Sequence, residues 1–439
     1  MTLEIKVSRS FYGWKNVTVA VIYGFSMALA FYTFTLFLPF WVDEFGWSRQ
    51  KISYAATLWS IIMGLNYVFV GHFIAKYGSR RAIVIGVLIT ISGLLVLSFQ
   101  SNLWLVYLGH GILVGIGVSL GSNFAITTMV NNWFNKKRSL ALSMTVSSMA
   151  LGGMILVPVL MKFIDVIGWR YAYRFSAAII FITGFVLAGL FIRNKPEDIG
   201  QVPDGIVDPE PEKIETPVPT PNIYRTPVEF TAKEAFRTPT IWFLMIFYIL
   251  FMFAANAKIT HAAAFYLDIG LTRGQVGVLV GLSSGIMVFS QLITGVLGLK
   301  IEMHRLAIFG FILVVIGMIV LVYANSLTMI LIYTFLTYIG TGANMLAMMN
   351  LLANYYGAEN FPVILGYFAP CWSLPASLGA PFAGYIRDTT GSYIPAWKIF
   401  VVLLFFALVC LLLINLLMRY RESSFIPLTR NCLIFSAIS

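Results

Sequence analysis

Charge is scarce in this chain, and acid is scarcer than base. Only 11% of the 439 residues are charged, against roughly 25% in an ordinary soluble chain. The 18 acidic residues all fall in termini, connecting segments or the ends of apolar runs. A cation exporter, or a proton relay through carboxylates, needs an acid inside the bilayer, so both are disfavoured. Cysteine is limited to Cys371, Cys410 and Cys432, which leaves no disulfide framework and no thiolate metal site. No nucleotide-binding loop, nucleophile–base constellation or metal-ligand cluster is present, so neither an enzyme nor a cofactor is implied. The net charge of +11 is not gathered into the basic, aromatic-interleaved patch of a nucleic-acid binder. The first 16 residues are mixed polar and lack a cleavable signal pattern, so the first apolar run is expected to be retained.

What is abundant is apolar length. Hydrophobic residues make up 59% of the chain, and mean hydropathy is +0.86. Runs of about 20 apolar residues, each able to cross ~30 Å of hydrocarbon, recur throughout. They predict helices at 16–40, 52–74, 82–99, 103–130, 139–163, 171–192, 241–266, 275–298, 305–324, 328–354, 362–385 and 396–418. The segment 193–240 is polar, and its centre, from Val207-Asp208-Pro209-Glu210 to Thr220-Pro221, reads as an extended, solvated linker. The expected organisation is a six-helix bundle (1–192), a linker (193–240), a second six-helix bundle (241–420) and a tail (421–439). This is an all-α membrane protein.

Basic residues set the orientation. With the N-terminus in the cytoplasm, inner segments hold 20 of the 29 lysines and arginines and outer segments hold eight; Lys258 completes the set. Both termini and the linker are therefore expected on the cytoplasmic face of an inner membrane. Two six-helix halves suit alternating access around a midplane site.

Lys258 is the one mid-run lysine or arginine. It sits about 17 residues past the start of its run, roughly 25 Å at 1.5 Å per residue. Two placements satisfy such a charge: facing a watery cavity, or snorkelling to the bilayer edge. His261 is three residues on, which puts both on one helical face. An ammonium beside an imidazole would attract a carboxylate in a dry site. Asp268 is a rival partner for Lys258.

Motifs point the same way. The turn Gly71-His72-Phe73-Ile74-Ala75-Lys76-Tyr77-Gly78-Ser79-Arg80-Arg81 resembles the loop between the second and third helices of the major facilitator superfamily, with Ala75 where aspartate is usual. A degraded counterpart runs from Gly295 to Arg305. In that motif Gly71 and Gly78 permit close helix packing, and Lys76, Arg80 and Arg81 can hold carbonyl ends of neighbouring helices. Trp133-Phe134-Asn135-Lys136-Lys137-Arg138-Ser139-Leu140-Ala141 resembles the entry to the fifth helix of monocarboxylate transporters and bacterial oxalate/formate antiporters. There Ser143 and Ser148 stand where glycine is usual. Tyr12-Gly13-Trp14, the linker stretches from Lys195 to Gly205 and from Lys233 to Pro239, and Gly366 through Tyr393 resemble the same branch. The resemblance spans about 10–420 and implies the major facilitator fold, twelve helices in two pseudo-symmetric bundles.

The departures bear on substrate. Alignment through Gly24-Phe25-Ser26 puts Phe31 where animal monocarboxylate transporters carry a first-helix lysine. Gln291 is nearest to the eighth-helix arginine, and the eleventh-helix lysine of oxalate antiporters has no counterpart between Gly366 and Gly384. The resemblance links His261 to the substrate pocket of bacterial members. In that superfamily's fold helices one, four, seven and ten line the cavity and five, eight and eleven support it, which makes Asn123, Asn256, Gln291, Asn344 and Tyr367 further polar candidates. A buried amide must find a partner or face water, although asparagines also serve helix packing.

The expected function is secondary transport of a small organic carboxylate by proton symport or anion exchange. Lys258 and His261 would bind the anion, and Asn123, Asn256, Gln291, Asn344, Tyr367 and Phe31 would complete the pocket. The expected partners are the substrate, protons and the bilayer, and the expected state is a monomer. The alternative is efflux of uncharged or weakly acidic hydrophobic compounds, walled by Tyr23, Phe31, Tyr32, Trp59, Tyr338 and Trp372.

Overall fold

In lipid every backbone polar group must be satisfied inside its own segment, which leaves the helix as the form these runs can take. The computed structural model describes residues 11–47, 49–121, 123–205, 226 and 229–428. The linker's proline- and acid-rich centre and the tail from 429 lie outside the described residues. Among the described residues no strand occurs, and twelve helices are long and apolar enough to cross a membrane. They are α1 (Gly13–Phe45), α2 (Arg49–Tyr77), α3 (Ser79–Ser98), α4 (Leu103–Trp133), α5 (Arg138–Ile167) and α6 (Trp169–Phe191). After the linker come α7 (Pro239–Asp268), α8 (Arg273–Leu297), α9 (Met303–Val322), α10 (Leu327–Tyr356), α11 (Phe361–Thr390) and α12 (Ile394–Leu428).

The helices match their predicted runs, α3, α6, α8 and α9 stopping one or two residues short, but α1 and α12 extend well past theirs, through Asp43-Glu44 and through Arg419 and Arg421. Helical hydrogen bonding continues into polar ends that a hydropathy window does not register. The window over 362–385 also concealed a break. Helix α11 carries Pro370 and Pro375 and divides at Leu378 into Phe361–Ser377 and Gly379–Thr390. Each proline removes an N–H and crowds the preceding turn, which weakens this span against bending.

The helices pair by one pattern twice. Helix α1 packs on α5 and α6, α3 on α4, and α2 on α4; correspondingly α7 packs on α11 and α12, α9 on α10, and α8 on α10. Between the halves, α2 packs on α11 and α5 on α8, which are equivalent seams under that pseudo-symmetry.

Both seams are tight at the end where the linker lies. A Cβ on Gly71 would strike the Pro362 carbonyl, and one on Gly366 would come within 2.9 Å of the Tyr67 carbonyl. Glycine on each side is what lets α2 and α11 cross so closely. In the other seam the Ser139 hydroxyl donates to the Gly295 carbonyl at 3.0 Å, and the buried Arg138 guanidinium donates to the Asn354 side chain of α10. At the distal end of α8, by contrast, Cβ atoms on Gly277, Gly281 and Gly285 would meet nothing within 4 Å. The packing between the halves is thus tight on the linker side and open around the distal end of α8.

Candidate functional site

The linker side is fastened by short-range chemistry. Tyr12-Gly13-Trp14 packs directly on the fifth-helix entry: Trp14 lies edge-on to Phe134 at 4.9 Å, and Tyr12 lies 5.9 Å from Trp133. Two distant stretches of the resemblance thus form one aromatic cluster. The Asp204 carboxylate accepts N–H bonds from Asn135 (2.9 Å), Lys136 (2.6 Å) and Lys137 (3.2 Å), covering the donors that α5 leaves open at its start. The Lys136 and Lys137 side chains stay exposed while Arg138 is buried. The pseudo-symmetric position has its own acid. Glu229 accepts from the N–H groups of Ala358 (3.2 Å) and Glu359 (3.0 Å), just before α11.

Arg80 holds the last turn of α6, its Nε donating to the Gly189 carbonyl at 2.7 Å. Lys76 lies over the Tyr77 ring at 5.2 Å, and Arg81 is exposed. Gly78 has a φ of 82°, a turn that disfavours a side chain.

Lys258 takes neither of the placements its sequence position suggests. It is 2% exposed, inside the second bundle, on the same face of α7 as Phe251, Ala254 and Phe265. Its ammonium reaches the Thr341 hydroxyl of α10 at 3.4 Å and lies 4.6 Å above the Tyr338 ring. Val314 and Met318 of α9 and Leu404 of α12 line a small cavity along its stem. No Asp or Glu among the described residues pairs with it. Asp268 is bound instead to Arg387, at 3.1 Å.

His261 does not join Lys258. Its Nδ1 meets the Tyr393 hydroxyl at 3.1 Å and its Nε2 meets the Ala380 carbonyl at 2.9 Å, so it ties α7 to α11 just beyond the break and to the start of α12. Three residues on a helix differ by about 60° in direction. With α10 on one flank of α7 and α11 on the other, that angle sends the two side chains to different neighbours. The expectation that they form one anion clamp is corrected accordingly.

The other candidates also scatter. Asn256 is exposed and lies almost opposite Lys258 around α7, beside Ile259 and Thr260. The Asn344 side-chain amide donates back to the Gly340 carbonyl at 2.9 Å, its main-chain carbonyl accepts the Tyr248 hydroxyl at 2.6 Å, and its Oδ1 is buried and unpartnered. Gln291 is buried toward the linker side with its Oε1 unpartnered. Asn123 is half-buried on α4. Phe31 is 38% exposed and stands edge-on to Trp59 (5.5 Å) and Tyr32 (5.3 Å), a partly open aromatic wall in the first bundle. Tyr367 lies away from all of these, edge-on to His72 near the linker. The structure adds Thr341 and Tyr393, and a 2.6 Å bond from Asn66 to Ser119 between α2 and α4. Asn66 was legible as a mid-run amide and Tyr393 only as the last residue of a stretch that resembles the family; Thr341 carries no sequence mark.

Comparison with known proteins settles the family. The profile described as the Major Facilitator Superfamily matches residues 20–268 and 259–430. The chain belongs to that superfamily. A fungal MFS-type transporter 1 from Ophiocordyceps sp. is 23% identical over 79% of this chain and 72% of its own length. Monocarboxylate transporter 12 of Mus musculus is 23% identical over 88% of this chain and 82% of its own. Among solved structures, the superfamily transporter FucP in the outward conformation matches with a TM-score of 0.68 at 11% identity, over 92% of this chain and 99% of that one. This superfamily member is thus a multi-pass secondary transporter that resembles the monocarboxylate branch.

Proposed function

We propose that this transporter carries a small organic carboxylate across the cytoplasmic membrane by alternating access, as a monomer, with proton symport or anion exchange. The observation that carries this reading is Lys258, a buried ammonium with a hydroxyl and a ring for company and no carboxylate partner among the described residues. A buried cation without a counter-charge is costly, and a substrate carboxylate would supply one. Thr341 and Tyr338 would share the anion with it. His261 becomes a positioning residue that holds the broken α11 against α7. The 20 basic residues on the linker side, against eight on the other, support a cytoplasmic linker. On that orientation the state described here faces outward, and the halves would rock about the α2–α11 and α5–α8 seams.

One observation favours the alternative of hydrophobic, uncharged cargo. Phe31, Tyr32 and Trp59 form a partly open aromatic wall, whereas Lys258 is covered. Thermal-shift measurements with a panel of acids and their neutral amides separate the two. The carboxylate reading expects stabilisation by acids alone, lost in Lys258→Met; equal stabilisation by acids and amides supports hydrophobic cargo instead.

A further inference from the structure

Beside the α2–α11 crossing, on the linker side, lies an open groove of about 510 Å³. His72, Lys233, Phe236, Val363, Tyr367 and Cys371 line it. His72 and Tyr367 each follow a crossing glycine, Gly71 and Gly366, and their rings meet edge-on at 5.4 Å. The groove therefore straddles the seam, with α2 on one wall and α11 on the other. Its third wall is a short linker helix (Ala232–Ala235), capped at both ends of its first turn by Thr231 and Glu234.

Depth and chemistry identify the occupant. Val363 is two residues into α11 and Cys371 ten, so the groove floor runs from about 3 to about 15 Å along the helix. That carries it from headgroup level into hydrocarbon. Trp242, half exposed and donating its Nε1 to the Phe236 carbonyl at 2.9 Å, marks the headgroup level as interfacial tryptophans do. At the shallow end the exposed Lys233 supplies a cation, and no Asp or Glu is among the described residues lining the groove. The Nδ1 of His72 donates to the Val68 carbonyl at 2.9 Å, which leaves Nε2 of the exposed ring as an acceptor for a headgroup hydroxyl. A cationic rim above an aromatic and aliphatic floor is complementary to one acyl chain with an anionic head. A soluble anion would engage the rim alone, and a neutral lipid the floor alone.

We propose that this groove binds an anionic phospholipid, with the phosphate at Lys233 and an acyl chain along Tyr367 and Cys371. The site is independent of the substrate assignment. Cys371 is exposed and can report on it. The full chain carrying Cys410→Ser and Cys432→Ser, labelled with bimane at Cys371, is placed in nanodiscs containing brominated phosphatidylglycerol or brominated phosphatidylcholine. Half-maximal quenching is expected at about a fivefold lower mole fraction of phosphatidylglycerol, the factor one interfacial lysine supplies. Lys233→Gln should remove that preference. Equal quenching by both lipids, or a preference that survives Lys233→Gln, overturns the proposal. So does an emission shift caused by inorganic phosphate alone in detergent, which would assign the rim to a soluble anion.

Discussion

Two titratable side chains three residues apart on α7 have unlike duties. Lys258 is enclosed by α9, α10 and α12, while His261 binds a carbonyl of α11 and the hydroxyl of Tyr393. Replacing His261 by alanine should cost about 1 kcal/mol in stability, since it unpairs two partners. It should lower the maximal transport rate while leaving the substrate KM within about twofold. A KM rise of about tenfold, equivalent to 1.4 kcal/mol, would mean that His261 touches the substrate. The chemistry of Lys258 was legible in the sequence as a charge out of place, but its direction was not. Spacing fixes an angle on a helix; which neighbour occupies that angle is a tertiary fact. Tyr393 lies outside any apolar run and 132 residues from its histidine partner, so its place in a stretch that resembles the family did not mark it as that partner.

At the scale of elements, the linker acids deserve separate tests because each closes the N-terminus of a seam helix. Asp204→Asn and Glu229→Gln should each weaken the linker-side closure by about 1 kcal/mol, the usual worth of a charged N-terminal cap. Distances between spin labels on exposed linker-side sites of α2 and α5 and their partners in the second half should then broaden toward longer values. Unchanged distributions in both variants would reduce these acids to local caps. On the distal side, Glu44 accepts from Arg170 at 2.8 Å and from the Trp169 indole at 2.7 Å, tying the end of α1 to the start of α6. The Arg170 hydrogen bond, more than the Trp169 one, holds the Glu44 carboxyl below the usual carboxylate range. A depressed folded-state pKa means a contribution that is complete above the unfolded value of about 4.3. It is lost as pH falls through the lower, folded value. Glu44→Gln should therefore flatten the acid limb of a Tm-against-pH profile; an unaltered limb would show that the pair contributes nothing. The break in α11 was not read from the sequence, because hydropathy stays high across Pro370 and Pro375 and prolines are common in membrane helices.

For the whole molecule, twelve spans and their order could be read from hydropathy, because a bilayer demands apolar length and internally bonded backbone. The conformational state could not. It depends on which of two equivalent ends has its seams packed, a difference in contacts that one sequence supports both ways. Gly366→Leu tests the closure: its side chain would collide with the Tyr67 carbonyl across the α2–α11 crossing. A cysteine placed at buried Ser139 should then react with a soluble maleimide about tenfold faster, the factor for a 1.4 kcal/mol shift. An unchanged rate would mean that the halves close without this crossing.

The most direct measurement is uptake of a radiolabelled carboxylate panel into proteoliposomes by the parent protein, Lys258→Ala and His261→Ala. If Lys258 binds the substrate carboxylate, Lys258→Ala should transport the parent's acid at least about tenfold more slowly, while transport of its neutral amide analogue is unaffected. His261→Ala should retain the preference for acid at a reduced rate. Parent-like acid transport by Lys258→Ala would contradict the account and remove the buried lysine from the substrate's path.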